Sequence, residues 1–405
     1  MKGFFHGRLD RIKSWMQGYV DEKKFPGSSV LINQGGDEVF FHTCGSRDVA
    51  NDLPWTRDTV VRIYSMTKPI TSVALMMLVE EGRTHLDAGL DSILPEFGDM
   101  RALVPGATSV DQTEPCASPT LHQVLTHTSG LSYPFNIGPL PEALAEAELS
   151  FGPTEGALDA VCAKLAKMPL AFQPGARWEY SVGIDVIGRV VEVLSGQPLD
   201  QFFAERIFEP IGMSETAFAV TEDQLPRFAS LYTPLEGGPM ELNAQTKGAE
   251  TLREVDRAEK SPYRAPTTFS GGGGLVGTID DYMRFADMLR KGGLAGKNRV
   301  LSRHTVQFMA SNHLAGDIAS MGPSSFAEQP MDGIGFGIGG AVVLSPARSR
   351  TPSSVGDFSW GGMASTFFWV DPVHDLSVVF FTQLTPSSSY PNRAQLKALV
   401  HGALE

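Results

Sequence analysis

The alternation of apolar and polar positions predicts extended segments at both ends of the chain and helical segments between them. Near the amino terminus, two short apolar runs at 30–32 and 39–42 flank turn residues 35–37, a pattern that predicts a β-hairpin. From about residue 67 to residue 211 the apolar residues mostly recur with helical spacing. The last third returns to strand-like runs at 338–344, 364–370 and 376–384. Strands at both ends therefore predict one α/β sheet interrupted by an all-α insertion.

The middle of the chain contains the clearest helix and the longest loops. Apolar residues at helical spacing run from Ile184 to Leu194, and Gly196 ends the helix. From Thr221 to Ser270 the chain is polar and rich in proline without sustained periodicity, which predicts long loops across a surface. We therefore predict a discontinuous α/β domain and a mainly helical domain with long loops. The α/β domain comprises residues 1–75 and 270–405, and the helical domain comprises residues 76–269.

Composition and charge narrow the class of partner. The chain has 405 residues, 42% of them hydrophobic, which is ample for a core and excludes a mainly disordered protein. Its 33 Lys and Arg against 46 Asp and Glu give a formal net charge of −13, with no local concentration of basic residues. This balance argues against a nucleic-acid or phosphate-binding surface. A small molecule is the expected partner, and the sequence leaves the oligomeric state open.

The apolar segments and the cysteines predict a cytoplasmic protein. The longest unbroken apolar run, 73–79, has seven residues, well below the roughly 18 that a membrane span requires. Residues 1–8 introduce charge before a hydrophobic segment of signal length can form. Cys44, Cys116 and Cys162 are odd in number and widely spaced, which predicts neither a disulfide framework nor a metal finger.

The strongest local motif is Ser65-Met-Thr-Lys68, followed by Pro69 and an apolar helix. Proline is tolerated only within the first four helical positions, so the helix should begin near Ser65. Ser65 could be merely an N-cap, but a cap prefers an acidic or amide residue three positions later, where Lys68 stands. A nucleophile explains the lysine better, because residues at i and i+3 share a helix face and an amine there can activate the hydroxyl.

Two further segments could complete such a site. Tyr180 follows the turn at Pro174 and precedes the helix that starts just after Ser181, so its phenol lies on a loop where it can be presented to a substrate. The alternative is a hydrophobic staple, which the polar Asp185 at the closing position weakens. Residues 359–363 are interpreted as the start of a strand that continues through 364–370.

The glycines in that third segment suggest a ligand. Gly361 and Gly362 weaken a strand, and the usual compensation is the close approach of a ligand or another backbone. A substrate carbonyl could be that ligand. The backbone N–H groups of Ser65 and Met363 would then form an oxyanion hole.

Taken together, these blocks resemble the serine β-lactamase-like fold and, within it, the family VIII carboxylesterases. The resemblance covers nearly the whole chain and includes the block 125–131 (LTHTSGL), the glycine run from 271 and the segment 360–372. It implies an antiparallel sheet flanked by helices plus an inserted all-α lobe, with the site in the groove between them. It also implies that Ser65 is the acylated nucleophile and that Lys68 and Tyr180 form the base and proton shuttle.

Two departures from the β-lactamase pattern favour an esterase. Trp360 stands where β-lactamases and peptidoglycan peptidases carry Lys-Thr-Gly, so it offers an indole N–H but no cation for a substrate carboxylate. Val182 replaces the asparagine of their Tyr-x-Asn block. By the same resemblance Trp360, Gly361 and Gly362 contact the substrate. Tyr133 either lines the acyl or alcohol pocket or is a packed aromatic, and both readings stay open.

Other chemistries find less support. The Gly-x-Ser-x-Gly elbow of α/β-hydrolases is absent from the sequence, and His127 is assigned to holding loop geometry. The residues around His122 and His374 do not have the spacing of a metal site. Two Gly-x-Gly-x-x-Gly motifs also occur, but the strand and helix that flank such a motif in a dinucleotide-binding site are missing. We therefore predict a serine carboxylesterase that hydrolyses short-chain or small esters through an acyl-enzyme on Ser65, with no metal or organic cofactor. The alternatives are a class C-like β-lactamase, an acyltransferase, or a non-catalytic penicillin-binding-type recognition module.

Overall fold

The structure is a computed structural model that describes residues 3–236, 248 and 250–405. The longer helices are His6–Asp21 (α1), Thr67–Glu80 (α2), Gly183–Ser195 (α3), Ile279–Arg290 (α4) and Asn392–His401 (α5). Shorter helices lie at Leu121–Leu125, Pro139–Glu146, Leu158–Leu165, Leu199–Phe203, Glu209–Ile211, Arg303–Met309, Ile318–Met321 and Pro346–Ser349. No helix in the described part of the chain is both long and apolar enough to cross a membrane.

The largest sheet joins strands from both parts of the chain. Its strands are Gly27–Gln34 (β1), Asp37–Asp48 (β2), Leu53–Pro54 (β3), Ile334–Phe336 (β4), Ala341–Val343 (β5), Phe358–Gly361 (β6), Phe367–Asp371 (β7) and Leu376–Thr382 (β8). Their order across the sheet is β4-β5-β6-β7-β8-β1-β2-β3, and every neighbouring pair is antiparallel. The predicted hairpin and the predicted antiparallel sheet are confirmed.

Both faces of this sheet are buried. Along β8 the alternate residues Val379 and Phe381 join the core that contains α2 and α3, while Val378 and Phe380 join a second core with α1 and α5. A strand that is buried on both faces needs a continuous apolar run, which is why β8 shows no polar alternation. α2 is itself buried from Thr67 to Leu78, so it forms the centre of the first core.

The structure corrects the predicted strand 364–370. β6 ends at Gly361, and residues 362–366 form a turn in which the N–H of Gly362 donates to the carbonyl of Thr366 at 2.8 Å. Ser365 has a φ of 63°, in the left-handed region, so the chain reverses there and β7 pairs back onto β6. The prediction was wrong because the apolar run through this turn has the composition of a strand.

The loop prediction for 221–270 is also partly corrected. Leu231–Thr233 pairs with Arg253–Asp256 as a small antiparallel ribbon, and Leu225–Arg227 is a 3₁₀ turn. These elements are too short to produce a sequence period. Residues 237–247 and 249, which the loop prediction also covers, lie outside the described residues. The predicted division into two domains remains a prediction, and α2 runs across its boundary at residue 75.

Candidate active site

Ser65 lies on a short 3₁₀ turn, Tyr64–Met66, that leads into α2. Tyr64 has a φ of 44°, a backbone conformation that non-glycine residues rarely adopt and that is often found at functional sites. The N-cap of α2 is Met66, and no side chain caps that helix, so the structure does not use Ser65 as its cap. The Ser65 hydroxyl is half-buried and faces a cavity of about 350 Å³.

Lys68 lies one helical turn further along, beneath the cavity, with 1% of its surface exposed. Its amine donates to the carbonyl oxygen of Gly272 at 2.7 Å, to the hydroxyl of Tyr133 at 2.9 Å and to Oγ of Ser65 at 3.3 Å. Three oxygen atoms therefore lie within hydrogen-bond distance of Nζ, and one of them is the hydroxyl oxygen of Ser65. The structure therefore brings the predicted nucleophile and its predicted activating amine together, and it adds Tyr133 as a direct partner.

Tyr180 contacts Lys68 in a different way. The amine lies 4.7 Å from the centroid of the Tyr180 ring, whereas the phenolic oxygen has no hydrogen-bond partner among the described residues. The ring packs against Tyr133, Phe326 and Trp360 with centroid distances of 5.2, 4.9 and 5.4 Å. The hydroxyl of Tyr180 is thus buried at the site and unpaired, so it is available to a bound substrate.

His127 supports the loop that carries Tyr180. Its Nδ1 accepts the N–H of Ser181 at 3.2 Å, and its carbonyl accepts the N–H of Glu179 at 2.9 Å. Burial lowers the pKa of His127 well below its usual value, and the charge of Lys68 lowers it further. A neutral His127 that accepts through Nδ1 fits the loop-holding role predicted from the sequence.

Asp185 is a buried carboxylate beside this machinery that the sequence reasoning missed. One oxygen, Oδ1, accepts the hydroxyl of Ser270 and the N–H of Gly272, the residue whose carbonyl accepts from Lys68. Burial raises the pKa of Asp185 to about 6, although the charge of Lys68 lowers it. Burial also raises the pKa of Tyr133 well above its usual value, and the charge of Asp185 adds to this effect.

The turn that carries Met363 packs directly on the nucleophile segment. A Cβ at Gly362 would overlap the carbonyl oxygen of Ile63, two residues before Ser65. A Cβ at Gly361 would lie 2.6 Å from Nη2 of Arg393. The glycines therefore permit close approach, as predicted, but the approaching groups are parts of the protein itself.

The cavity walls are mainly aromatic. The aromatic lining residues are Tyr64, Tyr133, Phe135, Phe151, Tyr180, Tyr263, Phe326, Trp360, Phe367 and Phe368. Ser65, Gly361, Gly362 and Met363 also line it, so every predicted site residue except the buried Lys68 faces this space. The indole N–H of Trp360 has no partner among the described residues, so it is free to donate.

Two cations on α5 also reach the cavity. Arg393 and Lys397 line it, and each is paired with a buried carboxylate, Glu328 and Asp357 respectively, at 2.8 Å. The sequence reasoning did not include them, since neither lies near a motif. Because both charges are neutralised, the cavity retains its apolar character.

Comparisons with known proteins agree in family and fold. The sequence profile of the family described as Beta-lactamase matches residues 12–402. Protein Rv1367c of Mycobacterium tuberculosis is 34% identical over 392 residues, which are 94% of this chain and 91% of that protein. Esterase EstB of Burkholderia gladioli is 31% identical over 370 residues, 89% of this chain and 86% of EstB. The solved structure of EstCE1 is described as a hydrolase with promiscuous acyltransferase activity. It matches this structure with a TM-score of 0.80 at 28% sequence identity, and the match covers 98% of this chain and 99% of the EstCE1 chain.

Proposed function

The chain belongs to the Beta-lactamase family and is a hydrolase of the esterase type, and we propose that it cleaves small carboxylic esters through an acyl-enzyme on Ser65. The observation that carries the proposal is the contact between Oγ of Ser65 and Nζ of Lys68, 3.3 Å apart, at the wall of an aromatic cavity. A hydroxyl within reach of a buried amine that can act as its base is one arrangement that activates serine as a nucleophile.

In the proposed first half-reaction, Oγ of Ser65 attacks the ester carbonyl carbon. Lys68 must first release one proton to solvent. Its Nζ, then a neutral amine, takes the hydroxyl proton of Ser65, and the π electrons of the carbonyl move onto its oxygen. Collapse of this tetrahedral intermediate breaks the bond to the alcohol oxygen, which receives the proton through Tyr180 or Tyr133. Water then attacks the acyl-enzyme by the same sequence in reverse and releases the acid.

The negative oxygen of the intermediate needs fixed donors, and we assign these to the N–H groups of Ser65 and Met363. The close packing of Gly362 on Ile63 supports this assignment, because it places the turn that carries Met363 directly against the backbone that leads into Ser65. Donors held in this way need no rearrangement as charge develops.

The cavity supports neutral esters as the substrate class. Its walls are aromatic, and the two cations that reach it, Arg393 and Lys397, are already paired with carboxylates. Trp360 supplies an indole N–H that can bind an ester oxygen. A β-lactam carboxylate would lack an unpaired cation among these lining residues.

The test compares wild type, Ser65→Ala and the exposed-site control Ser14→Ala with a chromogenic butyrate ester and a chromogenic cephalosporin. We expect wild type and the control to hydrolyse the ester alone, and the mass of the intact protein to increase by one acyl group during turnover. We expect Ser65→Ala to show neither turnover nor mass increase. Ester turnover by Ser65→Ala would disprove the mechanism. Cephalosporin turnover by wild type would show an additional β-lactamase activity. Inactivity of wild type on both substrates would favour a recognition module.

Acyl transfer is a second candidate function. EstCE1, which shares the fold, is described as having promiscuous acyltransferase activity, and a cavity of about 350 Å³ leaves room for an acceptor beside a short acyl group. A short alcohol added at increasing concentration should divert acyl groups from acid to new ester if an acceptor can bind. Product analysis that finds only acid at every alcohol concentration would exclude this function.

A further inference from the structure

Asp371, His374 and His401 bring three metal-ligating side chains together outside the cavity lining. The carboxylate oxygen and the two imidazole nitrogens all lie within 4.8 Å of one another. Asp371 ends β7, His374 lies in the turn between β7 and β8, and His401 ends α5. The cluster takes no part in the proposed ester cleavage, so another role has to account for it.

The distances in this cluster are close to those of a tetrahedral site. Oδ2 of Asp371 lies 2.9 Å from Nδ1 of His374, 3.2 Å from Nε2 of His401 and 2.7 Å from Oγ of Ser354. In a tetrahedron with metal bonds of 2.0–2.1 Å, neighbouring ligand atoms are about 3.3 Å apart. The three contacts of Oδ2 therefore differ from this spacing by at most about 0.6 Å.

The hydrogen bonds of His401 direct one of its ring nitrogens into the cluster. Its Nδ1 lies 2.9 Å from the carbonyl oxygen of Lys397. A carbonyl can only accept, so Nδ1 carries the proton. Nε2 is then the ring nitrogen that faces Oδ2 of Asp371, at 3.2 Å, and it is the atom of His401 that would bind a metal ion placed between them.

The surroundings hold these groups in the orientation that a metal site needs. Oδ1 of Asp371 accepts the N–H groups of Val373 and His374 at 2.8 and 3.1 Å, which leaves Oδ2 to face the histidines. The ring of Trp369 stacks on His401 with an interplanar angle of 17°. Metal-bound histidines commonly donate their other N–H to a carbonyl, as His401 does to Lys397. The His374 side chain is 38% exposed, which gives an ion access from solvent.

We propose that Asp371, His374 and His401 bind a divalent transition-metal ion, with Zn²⁺ the best match to two imidazole nitrogens and one carboxylate oxygen. The hydroxyl of Ser354 or a water molecule would complete the tetrahedron. The adjacent ammonium of Lys397 does not oppose the ion, because Asp357 pairs with it at 2.8 Å. The ion would join the turn between β7 and β8 to α5, which would make its role structural.

The first experiment measures binding directly. Protein freed of metal with a chelator is dialysed against buffered ZnCl₂ and then against buffer alone, and retained zinc is measured by elemental analysis. We expect wild type to retain close to one Zn²⁺ per chain and His374→Ala to lose it. His304→Ala, a change at an exposed histidine on another helix, is the control and should bind as wild type does.

The second experiment separates binding from folding. His374→Gln keeps the size of the side chain and its ability to donate to Asp371, so it should fold as wild type does by circular dichroism and still lose zinc. Excess ZnCl₂ should raise the Tm of wild type by about 3 °C and leave that of His374→Gln unchanged. Zinc retained equally by wild type and the folded variant, or no zinc retained by wild type, would overturn the proposal.

Discussion

The two tyrosines beside Lys68 offer it different atoms. Tyr133 presents its hydroxyl to the amine at 2.9 Å, whereas Tyr180 presents its ring and keeps an unpaired hydroxyl. The sequence resemblance assigned the proton shuttle to Tyr180 and left Tyr133 undecided between pocket lining and packing. The geometry supports a division in which Tyr133 orients the amine and Tyr180 serves the substrate oxygen.

This division predicts different kinetics for the two phenylalanine variants. Tyr180→Phe should lower kcat by about 10²–10³-fold, because it removes a group that transfers a proton in the transition state. Tyr133→Phe should lower kcat less, by about 10-fold, because Lys68 keeps its contacts with Ser65 and Gly272. Steady-state kinetics on one butyrate ester check this, with Tyr390→Phe as a control on a tyrosine that does not line the cavity. Equal losses in the first two variants would contradict the division.

Asp185 makes a prediction about stability and pH. Its pKa rises from an ordinary value of 3.8 to about 6 on burial, so the folded protein binds its proton more tightly than the unfolded chain does. Ionising the buried carboxyl of Asp185 therefore lowers the free energy of unfolding. This loss is absent below about pH 4, grows between pH 4 and 6, and reaches about 3 kcal/mol above that range. Asp185→Asn escapes this loss, since the amide oxygen can still accept from Ser270 and Gly272.

We expect the Tm of Asp185→Asn minus the Tm of wild type to be about 3 °C larger at pH 8 than at pH 4. Thermal unfolding monitored by circular dichroism across this range measures it. Asp91→Asn, at an exposed aspartate, should show no such trend. A difference that is constant with pH would show that Asp185 titrates normally.

At the scale of elements, the turn 362–366 is tied to the turn 64–66 by backbone contact. Gly362→Ala places a Cβ against the carbonyl oxygen of Ile63, which can move only with the nucleophile turn. We expect about a 10-fold or greater loss of kcat together with a loss of about 1–3 kcal/mol in unfolding free energy. The control is Gly18→Ala in α1, where a Cβ meets no atom of the described residues within 4 Å and should stabilise the helix. Full activity of Gly362→Ala would show that the two turns are not rigidly coupled.

Local patterns identified most elements but not their contacts across the chain. The hairpin of β1 and β2 and the apolar helix α2 follow from periodicity and turn residues alone. The turn at 362–366 did not, because its apolar residues match a strand and only the φ of Ser365 reveals the reversal. Asp185 reads as one polar residue in a helix, and its role exists only because Gly272 folds beside it.

The metal-ligand cluster shows the same limit. In the sequence, Asp371 and His374 are three positions apart, but His401 lies 27 positions beyond His374. The packing of α5 against the sheet brings them together, and no spacing rule covers such a pair.

At the scale of the whole molecule, one sheet serves two cores. α5 closes the second core through Leu396 and Val400, and its other residues Arg393 and Lys397 reach the cavity. Changes to Leu396 or Val400, on the side of this helix that packs in the second core, should therefore affect stability first and catalysis only through the folded fraction.

Leu396→Ala tests this arrangement. Leu396 is fully buried, so truncation should cost about 2–5 kcal/mol of unfolding free energy, measured by urea titration. Leu399→Ala, three positions away at a partly buried site, should cost clearly less. Activity per folded molecule should be unchanged in both variants. A specific loss of kcat in folded Leu396→Ala would show that the second core controls the active site directly.

The backbone contact between Gly362 and Ile63 has a consequence for how this enzyme can change its substrates. The groups that we assign to oxyanion binding are main-chain atoms, held by a contact that involves no side chain of the cavity wall. Phe151 and Phe326, two wall residues to which no catalytic role is assigned, can therefore be exchanged for larger or smaller residues without disturbing the oxyanion donors. A combinatorial library restricted to those wall positions should yield variants with new acyl preferences at undiminished turnover, and it is the natural starting point for redesign.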